Sequence, residues 1–163
     1  QAGKARTDTI VLMHIPAGHD KAYLISFPRD LYVFVPASPN GQYGNTMAKI
    51  NAAFAWGGIP LMVQTIEGYT GVRIDHYLQV DFEGFQSMVD KLGGVDVCLS
   101  RPAKDHFSGI NLTAGKHHIN GTVALAFVRQ RHGLPNGDID RIKRQQQFLG
   151  AMTGLAGSFL KAS

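Results

Sequence analysis

Residues 9–15 (TIVLMHI) are β-branched and nearly continuously apolar, the pattern of a strand buried on both faces. The turn PAGHD (16–20) separates them from residues 22–27 (AYLISF), a second strand, and the two read as a hairpin. A third short strand, 31–35 (LYVFV), stops at Pro36 and the loop SPNGQYGN. Residues 49–56 (KINAAFAW) read as a helix that ends at Gly57-Gly58. Pro60 opens another helix, through Ile66 and Tyr69, which Gly71 closes. Residues 77–80 (YLQV) read as a strand. In residues 81–92, Phe82, Phe85, Met88, Val89 and Leu92 recur at helical spacing, with Asp81 as N-cap and Gly93-Gly94 as the stop. Residues 95–99 are a strand and 100–118 are rich in loop residues. Residues 121–128 (GTVALAFV) fit helix or strand, and Asn120 before them favours helix. Asp138 or Asp140 caps a last helix running to about Leu160.

This alternation predicts an α/β fold: a central, mainly mixed sheet flanked by helices on both faces. The 163 residues suit one domain, 1–163, that buries roughly two-thirds of its unfolded surface. With 44% apolar and 17% charged residues the chain is globular in composition, not a disordered tail or a fibre. One cysteine, Cys98, excludes an internal disulfide framework. No apolar run approaches the roughly 20 residues of a membrane helix.

A net charge of +4 says little by itself, but its distribution says more. Arg129, Arg131, Arg141, Lys143 and Arg144 crowd into one short stretch that holds only two acids, Asp138 and Asp140. A solvated helix face explains such a run as readily as an anion site does. Arg141 and Gln145 are i,i+4 neighbours and share a helix face. Guanidinium forks bind phosphate oxygens bidentately, and a glutamine adds a neutral hydrogen bond, so the group suits a pyrophosphate. Further candidates stand at strand and helix ends: Arg6-Thr7-Asp8 before the first strand, Arg29-Asp30 after the second, and Lys49 at a helix start. Each has a plainer role as a turn ion pair or a surface cation. Asp8 among cations pairs with them or holds a divalent metal bridging phosphate oxygens. The seven histidines lack zinc-ligand spacing, and no G-x-S-x-G or Walker A sequence occurs. Without a basic stripe interleaved with stacking aromatics, nothing points to nucleic acid. The apolar residues of the middle helices (Phe54, Trp56, Leu61, Met62, Ile66, Phe82, Phe85, Met88) are core for the most part, with some available to line a groove for a lipid tail.

Seven stretches, in order, resemble the LytR-CpsA-Psr phosphotransferases of Gram-positive and actinobacterial cell walls. They are RTDTI (6–10), SFPRD (26–30), KINAAFAWGG (49–58), IDHY (74–77), VDKLGGVDV (89–97), GTVALAFVRQR (121–131) and GDIDRIKRQQ (137–146). The phrases VDVCL and FVRQRH resemble actinobacterial members. The resemblance implies an α/β/α domain with an apolar, lipid-binding tunnel. It implies transfer of an anionic glycopolymer from a polyprenyl-pyrophosphate carrier to peptidoglycan, leaving a phosphodiester to a muramic acid hydroxyl. By the same resemblance Arg6, Arg29, Lys49, Arg129, Arg131, Arg141 and Gln145 fall on pyrophosphate-contacting positions, and Asp8 on a ligand position for Mg²⁺. A second metal carboxylate, on a strand ending in G-x-D, and a membrane anchor are expected upstream of Gln1. They would set the protein on the extracytoplasmic face of the membrane, in the cell wall.

The implied catalysis is electrostatic, with Arg29, Arg129 and Arg131 neutralising charge as prenyl phosphate leaves. Asp138 is the candidate acceptor of the attacking hydroxyl's proton. Two other readings stand beside it: a binding module that holds lipid-linked or wall polyanions without turnover, and a polyprenyl-pyrophosphate pyrophosphatase.

Overall fold

The computed structural model describes residues 9–18, 21–130 and 132–161, with side chains described except at Asp138 and from 153 onward. The chain forms two compact units, 1–77 and 78–163. The α/β class holds in both. The described strands pair two by two, all antiparallel, where the alternation suggested one central sheet.

In the first unit β1 (Ile10–His14) and β2 (Tyr23–Phe27) form the expected hairpin, in register from Ile10 opposite Phe27 to His14 opposite Tyr23. β3 (Tyr32–Val35) pairs with β4 (Thr46–Lys49), placing Tyr32 opposite Lys49. The sequence pattern predicts a helix from Lys49, whereas Lys49 ends β4 and the helix starts at Ile50. Four residues show too little alternation to reveal a strand that exists through its pairing with β3. α1 (Ile50–Thr70) is two helical segments joined at Gly58, whose φ of 64° and ψ of −154° are not helical. The break has a local cause. Pro60 has no N–H to continue the ladder and suits a helix start, while Gly58 supplies the left-handed φ. Gly71, at φ 71°, ends the helix and donates its N–H to Glu67 O at 2.8 Å. Alternate residues of β3, Val33 and Val35, pack with Ile10, Phe27, Ile50, Ala53, Leu61, Met62 and Ile66 in the core. Burying each of the larger side chains contributes about 1.5–3 kcal/mol.

Residues 71–81 carry no regular structure, which corrects the strand expected at 77–80. Tyr77, Leu78 and Val80 are exposed there. Apolar composition alone does not make a strand; a ladder needs a partner edge, and the described pairings give this segment none.

In the second unit Asp81 caps α2 (Phe82–Lys91), its Oδ1 accepting from Gly84 N at 2.7 Å. Gly93 and Gly94, at φ 79° and 90°, turn the chain into β5 (Val95–Leu99). β5 pairs with β8 (Gly115–Ile119), and β6 (Ala103–Asp105) pairs with β7 (Ile110–Leu112). These last three strands are short and mixed in polarity, and lie in the stretch read as loop. α3 (Gly121–Arg129) settles the helix-or-strand ambiguity as Asn120 suggested: its Oδ1 accepts from Val123 N at 3.0 Å. α4 spans Asp138–Lys161. Val89, Val95, Val97, Leu99, Ile110, Ile119, Phe127 and Phe148 fill this unit's core.

Candidate functional site

In the first unit the turn after β2 is tied to the start of α1. Ile50 N donates to Leu31 O at 2.7 Å and Asn51 N to Arg29 O at 3.2 Å, so two amides at the helix start are satisfied by this turn. Lys49, the N-cap residue, makes no side-chain cap. Its Nζ instead meets Asp30 Oδ1 at 3.0 Å. Arg29, Asp30 and Lys49 are thereby gathered at one corner of this unit. The hydrogen bond from Lys49 holds the Asp30 carboxyl below its ordinary value against desolvation, with lesser help from the charges of Lys49 and Arg29. Lys49 is exposed and Arg29 half-buried.

In the second unit the cations cluster where α3 ends and α4 begins. Arg129 is the last residue of α3, exposed, with its guanidinium 4.5 Å from the centroid of the Phe82 ring. The chain leaves the helix at once: Gln130 has φ −55° and ψ 130°. Arg129 is thus the last residue under helical geometry. Gln130 is 1% exposed; its Nε2 donates to His132 O at 2.8 Å and its Oε1 accepts from Arg144 Nη1. Arg144 also lies 4.7 Å over the Phe127 ring, and desolvation lowers its pKa while the Asp140 charge raises it. Arg141 is buried and Gln145 half-buried one turn later on α4. Gln145 Nε2 donates to Val128 O at 3.3 Å, tying that helix to the residue before Arg129.

The α4 start is built by Asp140, whose carboxylate accepts from Asn136 N at 3.0 Å and Asn136 Nδ2 at 3.3 Å. Those two bonds, in that order of weight, lower its pKa against a desolvation effect, with smaller help from Lys143 and Arg144. An acid reaching back from the first turn in this way resembles a capping box.

Of the residues singled out from sequence, Arg29 and Lys49 share the first corner, and Arg129, Arg141 and Gln145 share the α3–α4 region. Arg6, Asp8 and Arg131 lie outside the described residues, as does the side chain of Asp138. Among the described residues no three His, Cys, Asp or Glu side chains gather to hold a metal ion. The structure adds residues that sequence reasoning passed over: Gln130, Arg144 as the partner of that amide, and Asp105, 4% exposed with Oδ1 accepting from Phe107 N at 3.0 Å. Only the strand period of two places Asp105 on the same inward face as Ala103.

The domain has clear relatives. It is 42% identical over 156 residues to the probable cell wall biosynthesis protein LcpB of Corynebacterium glutamicum, covering 96% of this chain and 36% of that protein. That relative agrees with the actinobacterial character of the motifs. It is 33% identical over 160 residues to the polyisoprenyl-teichoic acid–peptidoglycan teichoic acid transferase TagU of Bacillus mycoides, covering 98% of this chain and 50% of that protein. Among solved structures it resembles the LytR-CPS2A-psr family protein YwtF (TagT) with bound octaprenyl pyrophosphate, with a TM-score of 0.75, 29% identity, and coverage of 95% of this chain and 61% of that one. The chain thus spans about a third to a half of the length of these curated relatives. With the LytR_cpsA_psr family model matching residues 1–160, the chain belongs to that family.

Proposed function

We propose that this domain transfers an anionic glycopolymer from a polyprenyl-pyrophosphate carrier to peptidoglycan at the cell envelope. The observation that carries the proposal is the likeness to a relative solved with octaprenyl pyrophosphate bound. The relative named as a teichoic acid transferase supports the transfer step. The donor-rich surroundings of Arg129, Arg141 and Gln145 suit such a ligand chemically.

In the reaction an acceptor hydroxyl oxygen of peptidoglycan attacks the phosphorus that carries the sugar. The bond from that phosphorus to the bridging oxygen breaks, prenyl monophosphate leaves, and a phosphodiester remains. Arg6, Arg29, Lys49, Arg129, Arg131, Arg141 and Gln145 are proposed to hold the diphosphate, stabilising charge that grows on the leaving phosphate. The hydroxyl's proton passes to a nearby base, for which Asp138 is the candidate. Asp8 is proposed to hold Mg²⁺, which when bound supplies further neutralisation of phosphate charge. An apolar tunnel for the prenyl tail and a membrane anchor elsewhere in the protein complete the proposal. None of the described helices is long and apolar enough to cross a membrane.

The test is to incubate the protein with a short-chain prenyl-pyrophosphate-linked glycan and a soluble peptidoglycan fragment, with Mg²⁺ or with EDTA. The expected result is a phosphodiester-linked product and prenyl monophosphate, both lost with EDTA. Binding without turnover would make the domain a binding module. Phosphate release without a linked product would make it a pyrophosphatase.

A further inference from the structure

The tip of the β6–β7 hairpin presents an aromatic residue that packing does not explain. Phe107 is 80% exposed, in a turn otherwise closely fixed. Asp105 organises that turn: its Oδ1 accepts from Phe107 N at 3.0 Å and its backbone O from Gly109 N at 2.9 Å. Gly109, at φ 78°, supplies the left-handed residue that closes it. The ring of His132, from the α3–α4 connection, stands against Phe107 with centroids 4.4 Å apart and planes at 34°. His132 is anchored in turn, through its backbone O, by the buried amide of Gln130. Its Nδ1 is 3.7 Å from Asp105 Oδ1, and its side chain is 62% exposed. Two rings on two separate loops thus stand on backbone anchored by a buried polar side chain, and both are largely exposed.

We propose that Phe107 and His132 form a stacking subsite for a sugar ring carried by one of the substrates. This rests on the transfer reading above and names a contact for the glycan rather than for the phosphates. The C–H face of a pyranose is drawn to the electron-rich face of an aromatic ring, while its hydroxyls need a polar group at the edge. Phe107 offers the first and the His132 imidazole the second. The location suits a group next to a phosphate. His132 follows Arg131 directly and stands three residues from Arg129, within about 11 Å along even a fully extended chain. A pyranose arrives from two sources, the first sugar of the lipid-linked donor or the acceptor glycan.

Calorimetric titration of wild type, Phe107→Ala, Phe107→Trp and His132→Ala separates these sources. The probes are a short-chain prenyl pyrophosphate, the same molecule bearing a disaccharide, and a soluble peptidoglycan fragment. Loss of one ring contact is expected to weaken a sugar-bearing probe roughly two- to tenfold, with Phe107→Trp restoring affinity and bare prenyl pyrophosphate unaffected. Weaker binding of the disaccharide-linked probe assigns the subsite to the donor; weaker binding of the peptidoglycan fragment assigns it to the acceptor. The proposal is overturned if Phe107→Ala leaves both sugar-bearing probes unchanged, if wild type binds neither sugar, or if Phe107→Ala loses only attachment to lipid vesicles. Failure of wild type to bind bare prenyl pyrophosphate would instead count against the transfer reading itself.

Discussion

The guanidinium of Arg129 lies 4.5 Å above the ring of Phe82, so the last residue of α3 is steered by the first residue of α2. Phe82 looked like a core residue from its helical spacing, yet it is exposed. Its apolar face serves a cation. An exposed cation–π contact contributes about 0.5–1 kcal/mol. Phe82→Ala should therefore weaken prenyl-pyrophosphate binding roughly two- to fivefold with little change in the unfolding midpoint. Phe82→Tyr should keep most of the affinity. A titration with thermal unfolding of the same samples checks both.

Gln130 joins the chain leaving α3 to α4 through Arg144 and fixes the backbone at His132. Replacing it by leucine keeps much of the volume but leaves a partly buried guanidinium and a carbonyl without that partner. The expected cost is about 1–3 kcal/mol. Urea unfolding of Gln130→Leu should show a lowered midpoint with an unchanged slope.

His118 makes stability depend on pH. Its Nδ1 lies 2.7 Å from Asp96 Oδ1 and its Nε2 2.7 Å from Gly93 O. Only the imidazolium can donate to both. The Asp96 hydrogen bond first and the Gly93 carbonyl second raise its pKa above the ordinary 6.5, outweighing desolvation, and the Asp96 charge adds to them. A raised folded-state value stabilises fully below the unfolded value and is lost as pH rises through the folded one. Thermal unfolding should fall between pH 5.5 and pH 8.5 in wild type by more than in His118→Gln. Equal slopes in the two proteins would remove His118 as the source.

Gly58 holds the break between the two segments of α1 in a conformation open in practice to glycine alone. Gly58→Ala should cost about 1–3 kcal/mol through backbone strain, since an added Cβ there meets nothing closer than Pro60 Cδ at 3.8 Å. Chemical unfolding that shows no loss of stability would mean the break tolerates a side chain.

The sequence was most legible where one residue acts on its own neighbours. Asp81 and Asn120 cap their helices, Gly58 with Pro60 breaks α1, and Gly93-Gly94 ends α2, all visible as local chemistry. The hairpin of β1 and β2 was visible because both strands are rich in apolar residues. Strands of three to five mixed residues, such as β6 to β8, were not, because partners elsewhere in the chain define them. The same division runs through the candidate site. Arginine and lysine announce themselves by charge and spacing. The roles of Gln130 and Asp105 depend on burial and on partners from other segments, so they emerge only from the fold.

The central proposal is that Arg29 and Arg129 each contribute to binding a lipid diphosphate, and direct binding tests it best. The measurement is the affinity of short-chain prenyl pyrophosphate for wild type, Arg29→Ala and Arg129→Ala, with circular dichroism to verify folding. A charge-assisted hydrogen bond contributes about 1.5–3 kcal/mol, so each substitution should weaken binding roughly 10- to 100-fold. Unchanged affinity in either folded variant would contradict the account.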